Sequence, residues 1–265
     1  MKKIIINADD LFLNDKINEG IEELIDAGLV TSVSVIVNIN CSPEKLREFY
    51  EMHPNVSYGL HVNLTEGFPV NRVSEVKSLV DGRGRFYNLK NFIFRVHLMK
   101  TSEIIKEIES QIKLFKESDV PLLHIDSHSN VFWLSAAMRK IQRQIAMKYD
   151  IPTRCPEVID INNRSFVFKL LRLYLKLHRN SMRKKVQMPD ALIDLFGRGA
   201  TADNVKRNVK CIKDGISELL THPGYGCCED FMERERQLEI LKSKWFRELL
   251  TDNELKLCDF NELVR

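Results

Sequence analysis

The sequence has little that would attach the protein to a membrane or direct it out of the cell. Its 265 residues contain no uninterrupted apolar stretch of about 18 residues, the length that a membrane-spanning helix needs. The residues Met1–Lys3 are followed by only three isoleucines before the first polar side chain, and this run is too short for the apolar core of a signal peptide. We therefore expect the protein to reside in the cytoplasm.

Paired cysteine motifs are absent as well. The six cysteines are scattered along the chain and include no C-x-x-C pair. They are Cys41, Cys155, Cys211, Cys227, Cys228 and Cys258. This usage is typical of the reducing cytosol rather than of a disulfide-stabilised secreted domain. The adjacent pair Cys227–Cys228 is compatible with metal or redox chemistry, but loop or buried thiols are the more common case.

Neither a large excess of one charge nor a glycine-rich phosphate loop is present. The 40 basic and 37 acidic residues give a net charge of +3, so the sequence has no global nucleic-acid-binding footprint. A glycine-rich phosphate cradle, an internal repeat and a low-complexity tract are also missing. With 44% hydrophobic residues, the chain can bury a large core as a single domain over residues 1–265.

Strand and helix patterns alternate along the chain, which predicts an α/β fold with a parallel sheet. The isoleucine run at residues 4–6 indicates a buried strand, because strands of parallel sheets are apolar on both faces. Further strands are predicted at residues 32–38, 56–64, 121–128, 217–222 and 255–258. Helices are predicted at residues 17–25, 43–53, 102–118, 134–148 and 231–251. The apolar face of the last helix packs either within the barrel layer or at a homodimer interface.

Several of the predicted strands end in acidic residues or histidines. These are Asp9 and Asp10, then His61, then His124, Asp126 and His128, and finally His222. The two adjacent aspartates alone could simply form a turn or cap the next helix. The carboxyl ends of parallel strands meet at one edge, however, and α/β folds usually assemble their chemistry there. One carboxylate and two neutral imidazoles suit a divalent metal ion, and a second carboxylate can deprotonate its bound water, so the pattern predicts metal-assisted hydrolysis.

Six short blocks of the sequence occur in the order found in one known family. They are residues 7–10 (NADD), 18–21 (NEGI), 28–32 (GLVTS), 59–67 (GLHVNLTEG), 124–128 (HIDSH) and 221–225 (THPGY). Together they resemble the YdjC-like carbohydrate deacetylases, the family that contains chitooligosaccharide deacetylase. The resemblance extends over most of the chain, and it depends on the combination of blocks rather than on any single one.

The resemblance implies a distorted (β/α) barrel, similar to a TIM barrel with about seven strands, and one divalent metal ion, Mg²⁺ or Zn²⁺. It also implies that the substrate is an N-acetylated saccharide, whose acetyl group is removed from an amino sugar. By position, Asp10, His61 and His128 match the family's metal ligands, and Asp9 matches its catalytic base. His222, in the His-Pro-Gly block, is the candidate general acid for the leaving amine.

Two blocks depart from the family pattern. Asn130 and Phe132 stand where further alternating histidines would follow Asp-Ser-His, and Leu11-Phe12 replaces an aromatic residue followed by glycine. A glycine there would allow an unusual φ or a close backbone approach, neither of which Phe12 supplies freely. Two alternatives to a deacetylase stay open, namely a catalytically weakened carbohydrate-binding protein on the same fold and a metal-dependent phosphoester hydrolase.

Residues around the predicted ligands are candidates for orienting them or for contacting substrate. They are Asn63, Thr65, His124, Asp126, Asn130 and Arg154. His124 and Asp126 precede His128 by four and two residues and share its strand face. Asn63 and Thr65 share the strand face of His61. Arg154 lies at a predicted strand end and is either a substrate contact or an exposed salt bridge.

The segment of residues 164–187 differs in composition from the rest and is predicted to be a basic helical insertion. Its stripe of basic side chains, without an intervening acid, is Lys169, Arg172, Lys176, Arg179 and Arg183. Such a stripe is commonly the solvated face of a surface helix. The alternative hypothesis is a peripheral contact of residues 164–185 with an anionic membrane surface.

Overall fold

A curled parallel β-sheet organises the computed structural model of the protein. The structure describes residues 1–156, 166–194, 200–226 and 229–264, and for residues 166–172, 178 and 229–232 it describes the backbone alone. Within these ranges seven strands pair in parallel as a half-barrel. The predicted α/β fold, a distorted (β/α) barrel, is therefore confirmed.

Strands and helices alternate along much of the chain. The strands are β1 (Lys2–Leu11), β2 (Ser32–Val35), β3 (Ser57–Val62), β4 (Leu122–Ser127), β5 (Ala191–Asp194), β6 (Gly215–Thr221) and β7 (Leu255–Cys258). The α-helices are α1 (Asp15–Asp26), α2 (Pro43–Met52), α3 (Leu89–Arg95), α4 (Thr101–Lys116), α5 (Ala136–Tyr149), α6 (Phe166–Arg183), α7 (Ala202–Val209), α8 (Glu229–Lys242) and α9 (Lys244–Asp252). Short 3-10 helices lie at Val73–Glu75, Lys77–Leu79, His128–Trp133 and Phe260–Leu263.

Strand β1 is the centre of the sheet. The strand order is β4-β3-β2-β1-β6-β5. One edge of β1 pairs with β6, and the other edge pairs with β7 over residues 2–5 and with β2 over residues 7–11. The side chains of Ile4, Ile5 and Ile6 are fully buried, because both faces of this central strand are covered.

Local signals in the sequence set the ends of helix α1. Oδ1 of Asn14 accepts a hydrogen bond from the backbone N of Ile17 at 3.0 Å, which satisfies one of the free N–H groups of the first turn. Ile17 and Ile21 are buried on one face of the helix. Gly28 follows the helix with φ of +65°, a conformation that favours glycine. The predicted helix over residues 17–25 therefore lies within α1.

Helices α3 and α7 and strand β5 have no counterpart in the sequence-based expectation, and one expected helix is divided. The continuous helix expected over residues 231–251 is divided into α8 and α9 at Ser243, whose extended backbone (φ −64°, ψ 143°) interrupts the helical ladder. Strand β5 has only four residues and lies at the edge of the sheet, so its apolar pattern is too short to be distinguished from a loop.

A polar stripe on α4 holds the long connection that follows β3. Glu107 is fully buried, and its carboxylate accepts hydrogen bonds from the backbone N of Val70 at 2.9 Å and of Asn71 at 3.1 Å. Gln111 bonds to the backbone N of Asn63 at 3.1 Å and to its backbone O at 2.8 Å. Because this connection pairs with no strand of the sheet, these bonds help to fix its course.

Helix α6 carries the predicted basic stripe, part of which lies outside the described side chains. The side chains of Lys169 and Arg172 are not among the described ones, whereas the side chain of Lys176 is exposed. Arg183 forms an ion pair with Asp190. The contact of this segment with an anionic membrane surface stays a prediction.

The cysteines that the structure describes are free thiols. They are Cys41, Cys155, Cys211 and Cys258, whereas Cys227–Cys228 lies outside the described residues. In the described part of the chain, no helix is both long and apolar enough to cross a lipid bilayer. Cytoplasmic residence and a homodimer stay predictions.

Gly59 of β3 provides a test of the packing beneath the carboxyl edge. A Cβ atom at this position would lie 2.2 Å from the ring of His124, which is stacked on its other side against Phe260 at 3.9 Å between ring centroids. We expect Gly59→Ala to lower the free energy of unfolding by about 2 kcal/mol or more, because the ring has no room to move. Urea unfolding measures the change, with Gly82→Ala, whose Cβ would meet no atom within 4 Å, as control. Equal destabilisation of the two variants would contradict this account.

Candidate active site

The two carboxylates that end β1 face the same cavity because the strand is irregular there. Consecutive side chains of a strand normally point to opposite faces. The pairing register between β1 and β2 shifts between Ala8 and Leu11, and Asp10 adopts φ of +73°. Aspartate tolerates this left-handed conformation better than most residues. As a result, Asp9 and Asp10 both line one cavity at the carboxyl edge of the sheet.

Phe12 adopts the left-handed conformation that is expected of a glycine at this position. Its φ is +70°. Its backbone N donates to Oδ1 of Asn18 at 2.7 Å, and its buried ring meets Phe49 edge-on at 5.7 Å, with the ammonium of Lys45 5.1 Å from the ring centroid. These contacts offset a backbone strain of about 1–3 kcal/mol. The departure from the family pattern therefore leaves the turn after β1 intact.

Asp10, His61 and His128 come together although they are far apart in the sequence. Oδ1 of Asp10 lies 2.7 Å from Nδ1 of His128 and 3.3 Å from Nε2 of His61. One potential ligand atom of each residue lies within 4.8 Å of the other two. Burial alone raises the pKa of Asp10, but His128, His61 and Arg234 outweigh burial and hold that pKa well below its usual value.

Asp126 fixes the orientation of the His61 ring. Nδ1 of His61 donates to Oδ1 of Asp126 at 2.7 Å, which leaves Nε2 directed at Asp10. Burial lowers the pKa of His61, but the charges of Asp126 and Asp9 outweigh it and raise that pKa to about 10. A carboxylate behind the imidazole is typical of metal-ligating histidines, and a cation at Nε2 would replace the proton there. The set of one carboxylate and two imidazoles therefore fits a divalent cation.

Arg154 lies in the interior, where it pairs with three acids, and is neither exposed nor at the surface of the cavity. It is 2% exposed. Its Nη1 and Nη2 donate to the two carboxylate oxygens of Asp9 at 2.8 and 2.7 Å. Nη2 also pairs with Asp126 at 2.5 Å, and Nε donates to Glu218 at 2.8 Å. Burial opposes its charge, but the carboxylates hold the pKa of Arg154 well above its usual value.

A hydrogen-bond network behind the acids determines where the protons lie. Oγ of Ser34 donates to Oδ2 of Asp126 at 2.8 Å and accepts from Nδ2 of Asn7 at 2.9 Å. Because a hydroxyl has a single proton, Nε2 of His124 must be the donor in its 3.0 Å contact with Ser34. Burial lowers the pKa of His124 to about 4, so its ring is neutral. His124 thus acts through Ser34 and Asp126 instead of contacting a predicted metal ligand directly.

Asn63 and Thr65 belong to the turn that follows β3. Oδ1 of Asn63 accepts hydrogen bonds from the backbone N of Thr65 at 3.1 Å and of Glu66 at 3.0 Å. Its amide donates to the backbone O of Glu66 at 2.9 Å. Thr65 is buried. The bonds of Asn63 therefore shape the turn and do not orient the preceding histidine.

Asn130 faces the cavity, whereas Phe132 packs into the core. Asn130 and Ser129 have φ of +50° and +54°, and both residues line the cavity. The ring of Phe132 is 1% exposed and belongs to the main hydrophobic cluster. Of the two departures in this block, only Asn130 is in a position to contact a ligand.

His222 follows β6 in a turn that packs against helices α1 and α8. The backbone N of His222 donates to Oε1 of Gln237 at 2.7 Å. Gly20 and Gly224 approach so closely that a Cβ on Gly20 would lie 2.7 Å from the Cα of Gly224. Nε2 of His222 lies 3.8 Å from Oδ2 of Asp9. Burial lowers the pKa of His222, although the nearby carboxylates act in the opposite direction.

These side chains surround a cavity of about 310 Å³, which is at the small end of the range for ligand pockets. The lining residues are Asp9, Asp10, Leu89, Ser127, His128, Ser129, Asn130, His222 and Arg234. Leu89, at the start of α3, contributes an apolar wall. The cavity can therefore hold one small ligand between acidic, basic and apolar groups.

Ser34, Glu218 and Arg234 are among the residues of the site that have no counterpart in the sequence-based predictions. Ser34 and Glu218 are polar residues within buried strands, and this contrast is the signal that could have identified them. Arg234 is one of many charged residues of α8 and carries no distinguishing local signal. Its contact with Asp10, which is distant in the sequence, is visible only in the folded chain.

Comparison with known proteins assigns the chain to a family. The family model described as YdjC-like protein matches residues 3–252. The chain belongs to the YdjC-like family. A carbohydrate deacetylase of Xenopus laevis is 29% identical to it over 98% of both chains, and one of Brevibacillus brevis is 28% identical over 98% of this chain and 99% of the relative. A proposed cellobiose-phosphate cleavage protein from Enterococcus faecalis V583 has a similar structure, with a TM-score of 0.83, 26% identity and coverage of 100% of this chain and 99% of the other.

Glu218 makes the stability of this YdjC-like protein depend on pH. Burial raises the pKa of its carboxyl to about 7, although the charge of Arg154 opposes the shift. Oε2 of Glu218 has no hydrogen-bond partner among the described residues. The folded protein therefore binds this proton more tightly than the unfolded chain does. The resulting stabilisation is fully present below the unfolded-state pKa and is lost as the pH rises through about 7.

The substitution Glu218→Gln removes this loss of stability. We compare the free energy of unfolding of the variant with that of the wild type at about pH 5 and at about pH 8. We expect the difference, variant minus wild type, to be larger at the higher pH by roughly 2–3 kcal/mol, since one pKa unit corresponds to about 1.4 kcal/mol. Urea unfolding at both pH values measures this difference. Glu239→Gln, at an exposed position, is the control and should show no such increase. A difference that is constant with pH, or larger at the acidic value, would refute the assignment.

Proposed function

We propose that the protein is a divalent-metal-dependent hydrolase that removes the acetyl group from an N-acetylated amino sugar. The observation that carries this proposal is the convergence of Asp10, His61 and His128 beside a second carboxylate, that of Asp9. Two relatives that match over nearly their full length are carbohydrate deacetylases, which supports the same class of substrate.

Asp10, His61 and His128 are the proposed metal ligands. When bound, a divalent ion lowers the pKa of water and polarises the acetyl carbonyl. Asp126 keeps the proton of His61 on Nδ1, so that the lone pair of Nε2 faces the site. A donor set of carboxylate and imidazole suits either Mg²⁺ or Zn²⁺, and we propose one of these two ions.

Asp9 is the proposed general base, and its contacts indicate which oxygen accepts the proton. Its Oδ1 accepts hydrogen bonds from Nδ2 of Asn7 at 2.7 Å and from Nη2 of Arg154 at 2.7 Å. Its Oδ2 accepts one from Nη1 of Arg154 at 2.8 Å. Because each carboxylate oxygen has two lone pairs, Oδ2 keeps one that the described hydrogen bonds leave available. We therefore assign Oδ2 as the atom that takes a proton from the attacking water.

His222 is proposed to return a proton to the leaving amine. Its lowered pKa keeps the imidazole neutral before the reaction. Its Nε2 lies 3.8 Å from Oδ2 of Asp9, a gap that a small side-chain movement in the substrate complex closes. The water oxygen bonds to the acyl carbon, Asp9 receives the water proton, and His222 relays it to the sugar nitrogen as the C–N bond breaks. The products are acetate and a free amino sugar.

The cavity suggests where the substrate lies. A volume of about 310 Å³ suits a single N-acetylated sugar ring, with further sugar units outside. We propose that Asn130, which replaces a histidine of the family pattern, contacts this ring. Leu89 offers an apolar surface to it.

Exchange of Asp9 for asparagine separates catalysis from metal binding. We expect Asp9→Asn to lower acetate release from a panel of N-acetylated mono- and oligosaccharides by at least about 100-fold, because the general base is lost. Its metal content should stay at the wild-type level. His61→Ala and His128→Ala should instead lose the metal, which elemental analysis of the purified variants measures.

Asp214→Asn is the matched control, because the Asp214 side chain is 80% exposed. It should keep wild-type turnover. Undiminished acetate release from Asp9→Asn would contradict the assignment of the base. Release of phosphate from phosphate esters without release of acetate would indicate the phosphoester hydrolase instead, and saccharide binding without turnover would indicate the carbohydrate-binding protein.

A further inference from the structure

Helix α8 holds the turn that carries His222 and reaches the cavity beside it. Oε1 of Glu235 accepts a hydrogen bond from the backbone N of Gly226 at 2.8 Å, and Oε1 of Gln237 accepts one from the backbone N of His222 at 2.7 Å. Gln237 is fully buried. Arg234 precedes these two residues on the same helix and lines the cavity. The helix therefore holds Arg234 at a defined place in the cavity wall.

Arg234 uses only part of its hydrogen-bonding capacity. Its Nη2 lies 2.5 Å from Oδ2 of Asp10, and its side chain is 12% exposed. Its Nη1 is buried, and among the described residues no group accepts a hydrogen bond from it. A guanidinium carries five N–H donors and remains protonated in proteins. The partly exposed side chain lines the cavity, so a ligand oxygen there can accept a hydrogen bond from donors that the contact with Asp10 leaves unused.

The contact with Asp10 indicates which ligand oxygen Arg234 would meet. Asp10 presents Oδ1 to the two imidazoles and Oδ2 to Arg234. The guanidinium thus lies one carboxylate away from the proposed metal site, close to where the acetyl group must lie for hydrolysis. During the attack of water the acetyl oxygen gains negative charge, and the acetate product carries a full negative charge. A fixed positive donor stabilises this charge more strongly than it stabilises a neutral carbonyl.

We propose that Arg234 binds the acetyl oxygen of the substrate as that oxygen becomes negative, and then holds the carboxylate of the acetate product. This inference rests on the proposed deacetylase function and adds a catalytic residue to it. Arg234 transfers no proton. The water proton goes to Asp9 and the amine receives its proton from His222, while the guanidinium contributes charge and hydrogen bonds.

A role for Arg234 in positioning Asp10 alone is the competing explanation. In that case, loss of the guanidinium would weaken metal binding, and saturating metal would restore turnover. Arg234→Lys separates the two roles, because lysine keeps a positive charge for Asp10. It lacks the planar fork of donors that can serve the acetyl oxygen at the same time.

Acetate itself is the probe of this subsite. We expect Arg234→Met to weaken acetate binding by about 10- to 100-fold, the loss expected for a hydrogen bond between charged groups. NMR titrations with acetate measure this affinity with Mg²⁺ present and after treatment with EDTA. Arg236→Met, at an exposed position of the same helix, is the matched control and should bind acetate as the wild type does. Equal acetate affinity of the wild type and Arg234→Met would overturn the proposal.

Turnover provides a second readout. We expect Arg234→Lys to keep the metal affinity of the wild type and to lower kcat by about 100- to 1,000-fold, with a smaller change in KM. Millimolar guanidinium ion should restore part of the kcat of Arg234→Ala, which a purely structural defect would not allow. If saturating metal restores Arg234→Met to the wild-type kcat, Arg234 only positions Asp10 and the proposal is wrong.

Failure of this inference is distinguishable from failure of the proposed function. If the wild-type protein releases no acetate from any N-acetylated saccharide, the deacetylase proposal fails. Acetate binding that depends on Arg234 and not on Arg236 would still establish the anion subsite. Turnover by the wild type together with acetate binding that is independent of Arg234 would refute the subsite and leave the deacetylase function in place.

Discussion

The ion pairs of Arg154 are the interaction on which the rest of the candidate site depends. The carboxylates of Asp9, Asp126 and Glu218 are each at most 2% exposed. An uncompensated charge at such depth costs several kcal/mol, and one guanidinium contacts all three carboxylates. Because two parallel hydrogen bonds fix the plane of the Asp9 carboxylate, Arg154 also determines the direction in which the proposed base faces the cavity. The same guanidinium of Arg154 thus both compensates the buried charges and orients the proposed base.

The same network extends from Arg154 to the proposed metal ligands. Asp126 joins the guanidinium to His61, and the other nitrogen of that ring faces Asp10. Each of these groups comes from a different part of the sheet or its edge, so the paired strands set their distances. Strand β1 contributes most, because pairing on both of its edges holds the irregular turn at Asp10 in place. Without that turn, the second aspartate would point away from the first.

The strand pattern predicted an α/β fold with acids and histidines at one edge of the sheet, and the resemblance to the family selected Asp10, His61 and His128 among them. Asp10, His61 and His128 end strands, and parallel strands bring their carboxyl ends together, so the convergence follows from topology. The surroundings of Arg154 were not predictable in this way, because its partners Glu218 and Asp9 lie 64 and 145 residues away. Local patterns describe periodicity and chain turns, whereas a buried ion pair is decided by packing between distant segments. The position of Arg234 in the cavity wall could not be predicted from the sequence for the same reason.

The adjacent aspartates show how the fold gives two chemically identical side chains different surroundings. Asp9 faces inward to Arg154, which occupies both of its oxygens and leaves lone-pair capacity on Oδ2. Asp10 faces two imidazoles with one oxygen and Arg234 with the other. Arg154 is buried and compensates the charge of the proposed base, whereas Arg234 lines the cavity, where its side chain can contact a ligand. The two proposed roles, base and metal ligand, therefore correspond to different arginine partners, and the left-handed backbone at Asp10 directs the two carboxylates to these different partners.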